Sequence, residues 1–253
     1  MKTIDKLLVS LALGLLLLLG AAFHVEGQND APSIIRLVDE KNRVDSSRME
    51  LTMLVYPYAG NEKDVREYQV QSLARGEESS HMVFVNPRSI KGLSILSIDE
   101  DQWVFFPSTG RVRKIAGKSK EKSVEGVGGD FSYEDLGGGS WEQKYAFAIL
   151  ADRRDEWVLS GTPLEESAYS RIEITIDKKR LLATRVDYYK EGRSELYKQL
   201  VMSEVKNMGG REIPTRIEMR NLESRSKTVV ITHSAAYDVP IDEKYFNPTR
   251  FYR

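Results

Sequence analysis

Apolar and polar residues alternate along most of this chain. Arg171–Asp177 is the cleanest stretch: Ile172, Ile174 and Ile176 face one way, and Arg171, Glu173, Thr175 and Asp177 face the other. A period of two predicts a strand with one dry and one wet face, as antiparallel sheets allow. Met49–Tyr56 repeats the pattern, with Met49, Leu51, Met53 and Val55 opposite Glu50 and Thr52. Ile213, Ile217 and Met219 likewise alternate with Arg216, Glu218 and Arg220. Further strands are predicted over 67–73, 81–85, 94–98, 102–106, 112–115, 156–160, 184–189, 196–205 and 228–234. Turn signals at Ala59-Gly60-Asn61, Ser108-Thr109-Gly110 and Met208-Gly209-Gly210 separate them at the short spacings of a meander.

Helical spacing shows in Pro32–Arg43, where Ile34, Ile35, Leu37 and Val38 form a stripe and Pro32 suits a first turn. Ten or so strands in one run curl rather than lie flat. The expected fold is therefore mostly β: a curled antiparallel sheet forming an incomplete, half-open β-barrel with a few lid helices. Ala116–Gly129 reads as a mobile loop. Asp130–Leu136 is expected to form a short helix capped by Asp130 and ended by Gly137-Gly138-Gly139, so that Asp130→Ala would cost about 1 kcal/mol.

Lys2 and Lys6 precede an apolar run from Leu7 to Leu19, too short to span a bilayer comfortably. This is the layout of a secretory signal peptide over residues 1–27, with Ala22 as the alternative cleavage point and an uncleaved anchor as the alternative fate. Residues 28–253 then form a single domain, soluble and periplasmic. Cysteine is absent, so neither a lipid anchor on cysteine nor a disulfide is available, and an apolar core must hold the domain. The net charge of −1 offers no basic excess for nucleic acid.

Catalytic chemistry has little to stand on. There is no cysteine nucleophile, no G-x-S-x-G elbow and no H-E-x-x-H, so no catalytic residues, metal site or cofactor are expected. His81 and His233 fall at strand edges and are expected to be solvated or hydrogen-bonded. The Glu134–Asp135 pair reads as a cap or as an ion-pair partner of Arg111 or Arg113, and Asp99, Glu100 and Asp101 as solvated turn charges. Gly126, Gly128 and Gly129 lack the Lys-Ser/Thr ending of a phosphate loop and read as a tight bend. Arg111, Arg113, Lys114, Lys118, Lys120 and Lys122 form either a solvated strand edge or a contact for anionic headgroups.

Several segments in order carry a family resemblance: Pro87-Arg88-Ser89-Ile90-Lys91-Gly92, the aromatic-to-basic run Trp103–Ile115, and above all Gly129-Asp130-Phe131-Ser132-Tyr133-Glu134-Asp135-Leu136. Asp187–Gly192 and Ile213–Met219 follow as closing hairpins. From about Ile34 to the C-terminus the chain resembles the outer-membrane lipoprotein-sorting, LolA-like proteins. The lipoprotein carriers proper are shorter and lack much of the DFSYEDL block, so the resemblance is to the broader family. It implies a half-barrel with a helical lid around an apolar cavity, and a monomeric carrier for the acyl chains of a lipid or lipoprotein. It further implies an inner-membrane transporter as donor and an outer-membrane acceptor. A lipid-sensing or accessory subunit is the alternative. The family supplies no fixed binding motif. Candidate cavity residues follow instead from alternation: Leu51, Met53, Val55, Phe84, Ile95, Phe105, Ile172, Ile174, Val186, Ile217 and Met219. Trp103 shares the face of Phe105 in a regular strand.

Overall fold

A computed structural model describes residues 30–253, so the signal-peptide stretch lies outside the described residues. Helix α1 (Ala31–Asn42) starts where Asp30 accepts a hydrogen bond from the Ser33 amide at 2.8 Å, and its apolar stripe buries Ile34, Ile35 and Val38. Six strands follow: β1 (Ser46–Tyr56), β2 (Arg66–Arg75), β3 (Ser79–Asn86), β4 (Ser94–Ile98), β5 (Asp101–Phe106) and β6 (Arg111–Ile115). A small hairpin, β7 (Ser123–Val124) and β8 (Gly128–Ser132), leads to the single turn of helix α2 (Trp141–Lys144). The second half is β9 (Tyr145–Asp152), β10 (Glu156–Pro163), β11 (Arg171–Asp177), β12 (Leu182–Tyr189), β13 (Leu196–Met208), β14 (Arg211–Asn221) and β15 (Ser226–Tyr237).

All strands except β7 and β8 join one antiparallel sheet in the order β6-β5-β4-β3-β2-β1-β15-β14-β13-β12-β11-β10-β9. It is two meanders, not one, fused where β1 pairs with β15. Register shifts at Glu50/Leu51, Gln69/Val70, Val158/Leu159 and Thr175/Ile176 add the bends that curl so wide a sheet. The sheet does not close: β6 and β9 are its two edges.

That topology sets the path of residues 116–144. This segment leaves one edge of the sheet and must enter the other. It takes the route across the mouth, and β8 lies against β1, β14 and β15 at the sheet's centre. The expected mobile loop is thus a 3₁₀ turn at Gly117–Glu121 and a hairpin. Nor is Asp130–Leu136 a capped helix. Gly128–Ser132 is strand, and Asp130 is buried and accepts from the hydroxyls of Ser226 and Thr228 on β15, the latter at 2.8 Å.

Three apolar clusters result. Helix α1 roofs the β9–β14 half of the inner face, with Leu159, Ile172, Ile174, Ile176, Val186 and Met219 beneath it. Val124, Val127 and Tyr133 of the 116–144 strap roof the β1–β6 half over Met53, Val55, Phe84 and Ile95. On the outer face the C-terminal segment lays Phe246 and Phe251 on Leu73 and Leu96.

Candidate functional site

The inner face is continuous because the register lines up residues from strand to strand that are all apolar but Thr228. One row runs Leu159, Ile174, Val186, Leu200, Met219, Thr228, Val55. Paired residues on neighbouring antiparallel strands point to the same side, so this row is a single surface. Of the residues expected there, Met53, Val55, Phe84 and Ile95 sit under the strap with Leu51 packed at the margin. Ile172, Ile174, Val186 and Met219 sit under α1, with Ile217 at the margin. These positions are filled by the domain's own side chains. Phe105 stands apart: Ile95 pairs with Val104, which puts Phe105 and Trp103 together on the outer face. There Phe105 stacks on Tyr252 with ring centroids 4.3 Å apart.

Two polar clamps hold the strap inside this apolar surface. In the first, the Asp130 amide donates to Thr228 Oγ1 at 2.9 Å while its carboxylate takes the two β15 hydroxyls. Burial holds the Asp130 carboxyl above the usual carboxylate range. In the second, Asp135 accepts from Lys198 Nζ at 3.0 Å, Tyr169 Oη at 2.6 Å, and the Ser132 amide and hydroxyl at 2.8 and 2.9 Å. Lys198 and Asp135 are only 5% and 3% exposed, so this is a buried ion pair. Burial also pushes the Tyr169 phenol well up, keeping it protonated as a donor. Chemically the group looks reactive, yet each polar tip is engaged by another: Lys198 also donates to Tyr169 Oη at 3.2 Å. It works as a clamp.

The expected partners of Glu134 and Asp135 are corrected accordingly. Neither meets Arg111 or Arg113; Glu134 takes the Ser167 hydroxyl and the Ala168 amide. Lys198 went unnoticed in the sequence, although Leu196, Lys198, Leu200 and Met202 share one parity and a lysine interrupts their apolar stripe. The basic strand is largely spoken for: Arg113 pairs with Glu125 and Lys114 with Asp101, each at 2.8 Å. His233 contacts Thr52 Oγ1 at 2.8 Å, as a hydrogen-bonded histidine should. His81 departs from expectation. It is buried on the outer face between Tyr245 and Phe251, neither ring nitrogen has a partner, and burial pulls its pKa down to about 4.

Gly129 lies tight against the sheet. Its φ of +86° is a conformation that side chains resist, and an added Cβ would lie 2.8 Å from Thr228 Oγ1 and 3.2 Å from Val55 Cγ2. Gly129→Ala is expected to destabilise the domain by about 1–3 kcal/mol. A thermal melt reads this directly, and an unchanged midpoint would show that the strap shifts without cost.

A cavity of about 370 Å³ remains at the mouth, between the β4–β5 turn, the strap and the β10–β11 loop. It is lined by tyrosines and carboxylates rather than by the apolar row. Among the described residues no group of histidines and carboxylates converges to hold a metal ion, and no helix is long and apolar enough to cross a membrane.

The unclosed antiparallel sheet is a fold that this chain shares with solved structures of LolA-like proteins. The chain belongs to the family whose model, described as an uncharacterized protein, matches residues 76–253. It is similar to a DUF1329 family protein from Desulfovibrio piger (25% identity, 85% of this chain and 95% of that one, TM-score 0.77). It shares its fold with a domain from Vibrio parahaemolyticus described as an outer membrane lipoprotein-sorting protein (22% identity, 88% and 98% covered, TM-score 0.78). The same holds for a LolA superfamily protein from Nitrosomonas europaea (22% identity, 86% and 97% covered, TM-score 0.70). No curated protein matches.

Proposed function

We propose that this domain is a periplasmic carrier that takes the acyl chains of a lipid or lipoprotein onto the inner face of its sheet and moves them towards the outer membrane. The observation that carries this reading is that, among the described residues, the apolar inner face is roofed mainly by segments outside the sheet, α1 and the 116–144 strap. Lifting the strap exposes Met53, Val55, Phe84 and Ile95, and displacing α1 as well extends the open row through Ile174, Val186 and Met219, without breaking the sheet. Its clamps are polar and regain hydrogen bonds from water when parted. An acyl chain entering in its place gains roughly 0.8 kcal/mol per buried methylene, enough to displace an intramolecular cover. The domain acts as a monomer between an inner-membrane donor and an outer-membrane acceptor.

A second reading, an accessory or lipid-sensing subunit, is favoured by β9. This edge strand is free of charge from Tyr145 to Ala151 and leaves Ile149 and Leu150 40% and 50% exposed, the kind of edge that pairs with another chain.

Two measurements separate these readings. Native mass spectrometry of protein gently purified from the periplasm is expected to show a bound lipid. A strap lock, Asp130→Cys with Ser226→Cys in a chain without other cysteines, is expected to bind a fluorescent fatty acid when reduced and at least tenfold more weakly when oxidised, with closure confirmed by thiol titration. Equal uptake in both redox states would remove the strap as the gate. A clean apo mass and no uptake in either state would sink the carrier and leave the accessory subunit.

A further inference from the structure

We propose that the cavity at the mouth binds an organic cation, a primary ammonium group carried on a chain. This goes beyond the acyl-carrier reading and stands whether or not lipid occupies the inner face.

The charge balance of the cavity comes first. Eight carboxylates and two lysines line it. Lys114 and Lys198 reach in from outside the lining to pair with Asp101 and Asp135, which still leaves an excess of four carboxylates. Asp99, Glu165 and Glu166 are exposed at its rim and have no ion-pair partner among the described residues. The two lysines are already engaged, Lys120 with the Glu100 carbonyl at 2.9 Å and Lys144 with the Gly137 carbonyl at 3.2 Å. An anion would meet repulsion here, and a cation finds attraction.

The second observation lies at the floor. Gln102 is 2% exposed and lines the cavity from the inner face of β5. Its amide nitrogen donates to Ser97 Oγ at 3.1 Å and to the Tyr133 carbonyl at 2.8 Å, which fixes the orientation of the amide. The carbonyl oxygen Oε1 is then a buried acceptor with no partner. Buried acceptors are rarely left so. A group with donors and no acceptor is what this floor lacks, and an ammonium has three donors and no acceptor.

The walls favour an organic cation over a metal ion. The carboxylates do not converge to metal-binding distances among the described residues. Instead Tyr133, Trp141, Tyr145, Tyr169 and Tyr188 line the space, and aromatic faces attract an ammonium and the methylenes beside it. The same group could arrive as the ethanolamine headgroup of a phospholipid or as a free polyamine.

Isothermal titration calorimetry on the mature protein tests this with three probes: spermidine, lysophosphatidylethanolamine below its micellar concentration, and lysophosphatidylglycerol as the headgroup control. Saturable binding of spermidine or of the ethanolamine lipid is expected, weakening as salt is added. Asp99→Asn/Glu165→Gln/Glu166→Gln is expected to raise the Kd for that amine at least tenfold with an unchanged melting temperature. All three side chains are exposed, and asparagine tolerates the positive φ of Asp99. Spermidine alone identifies a free polyamine as the source. Preference for the ethanolamine lipid over its glycerol counterpart identifies a headgroup. The proposal is overturned if neither amine binds, or if the triple variant binds as wild type does. It is also overturned if both lipids bind equally and spermidine does not bind, a result that would support acyl binding by itself.

Discussion

Replacing Lys198 by methionine alone is expected to destabilise the domain by about 3–5 kcal/mol, because it strands the Asp135 carboxylate in a buried site without its cation. Asp135 keeps the Ser132 and Tyr169 donors, but these are neutral. The double variant Lys198→Met/Asp135→Leu removes both charges and is expected to recover much of the loss, since a buried pair is worth little beyond its apolar replacement. Urea titrations of the wild type, both single variants and the double variant close the cycle. Strictly additive losses would mean that the two groups do not interact. Because Asp135 is on the strap and Lys198 on β13, the single variant should also speed amide exchange in Gly128–Leu136 ahead of the sheet. Uniform exchange would show that the clamp supports the whole core rather than the roof.

Acidification is expected to weaken the domain through His81. In the folded chain burial pulls its pKa down to about 4 from an ordinary value of 6.5. The unfolded chain therefore binds more protons between these values. Stability from this residue is full above pH 6.5, falls as pH drops towards 4, and levels off at a loss of about 3 kcal/mol. Asp39 and Asp130 pull the other way as pH falls, since burial holds both carboxyls above their ordinary value. His81→Phe isolates the histidine: it keeps an aromatic ring against Tyr245 and Phe251 and cannot titrate. The stability difference between variant and wild type should grow steadily from pH 6.5 to pH 4. A constant difference would mean that His81 is already charged, or reached by water, in the folded state.

The strands were legible because their signal is local. A sheet with one wet face writes its period into each strand, and Ser94–Ile98 and Arg171–Asp177 match their predicted bounds residue for residue. Strand β9 escaped because Tyr145–Asp152 carries almost no polar residue to alternate with, its exposed positions Ala148, Ile149 and Leu150 being apolar as well. Phe105 was assigned to the wrong face for a related reason: its neighbours Trp103, Val104, Phe105 and Phe106 are all apolar, and only pairing to β4 reveals which of them look inward.

By itself the sequence determined the class of fold. Alternation demanded a wide antiparallel sheet, and the lack of cysteine left an apolar core rather than disulfides to hold it. What it could not decide was the roof. Asp130, Asp135 and Gly129 lie between 63 and 99 positions from the Lys198, Ser226 and Thr228 they meet. A charge that reads as a cap or a solvated pair in local context becomes a buried clamp only once β6 and β9 prove to be the two open edges. The tertiary structure settled this because the segment joining the two open edges crosses the inner face, and once there its polar groups must find partners inside.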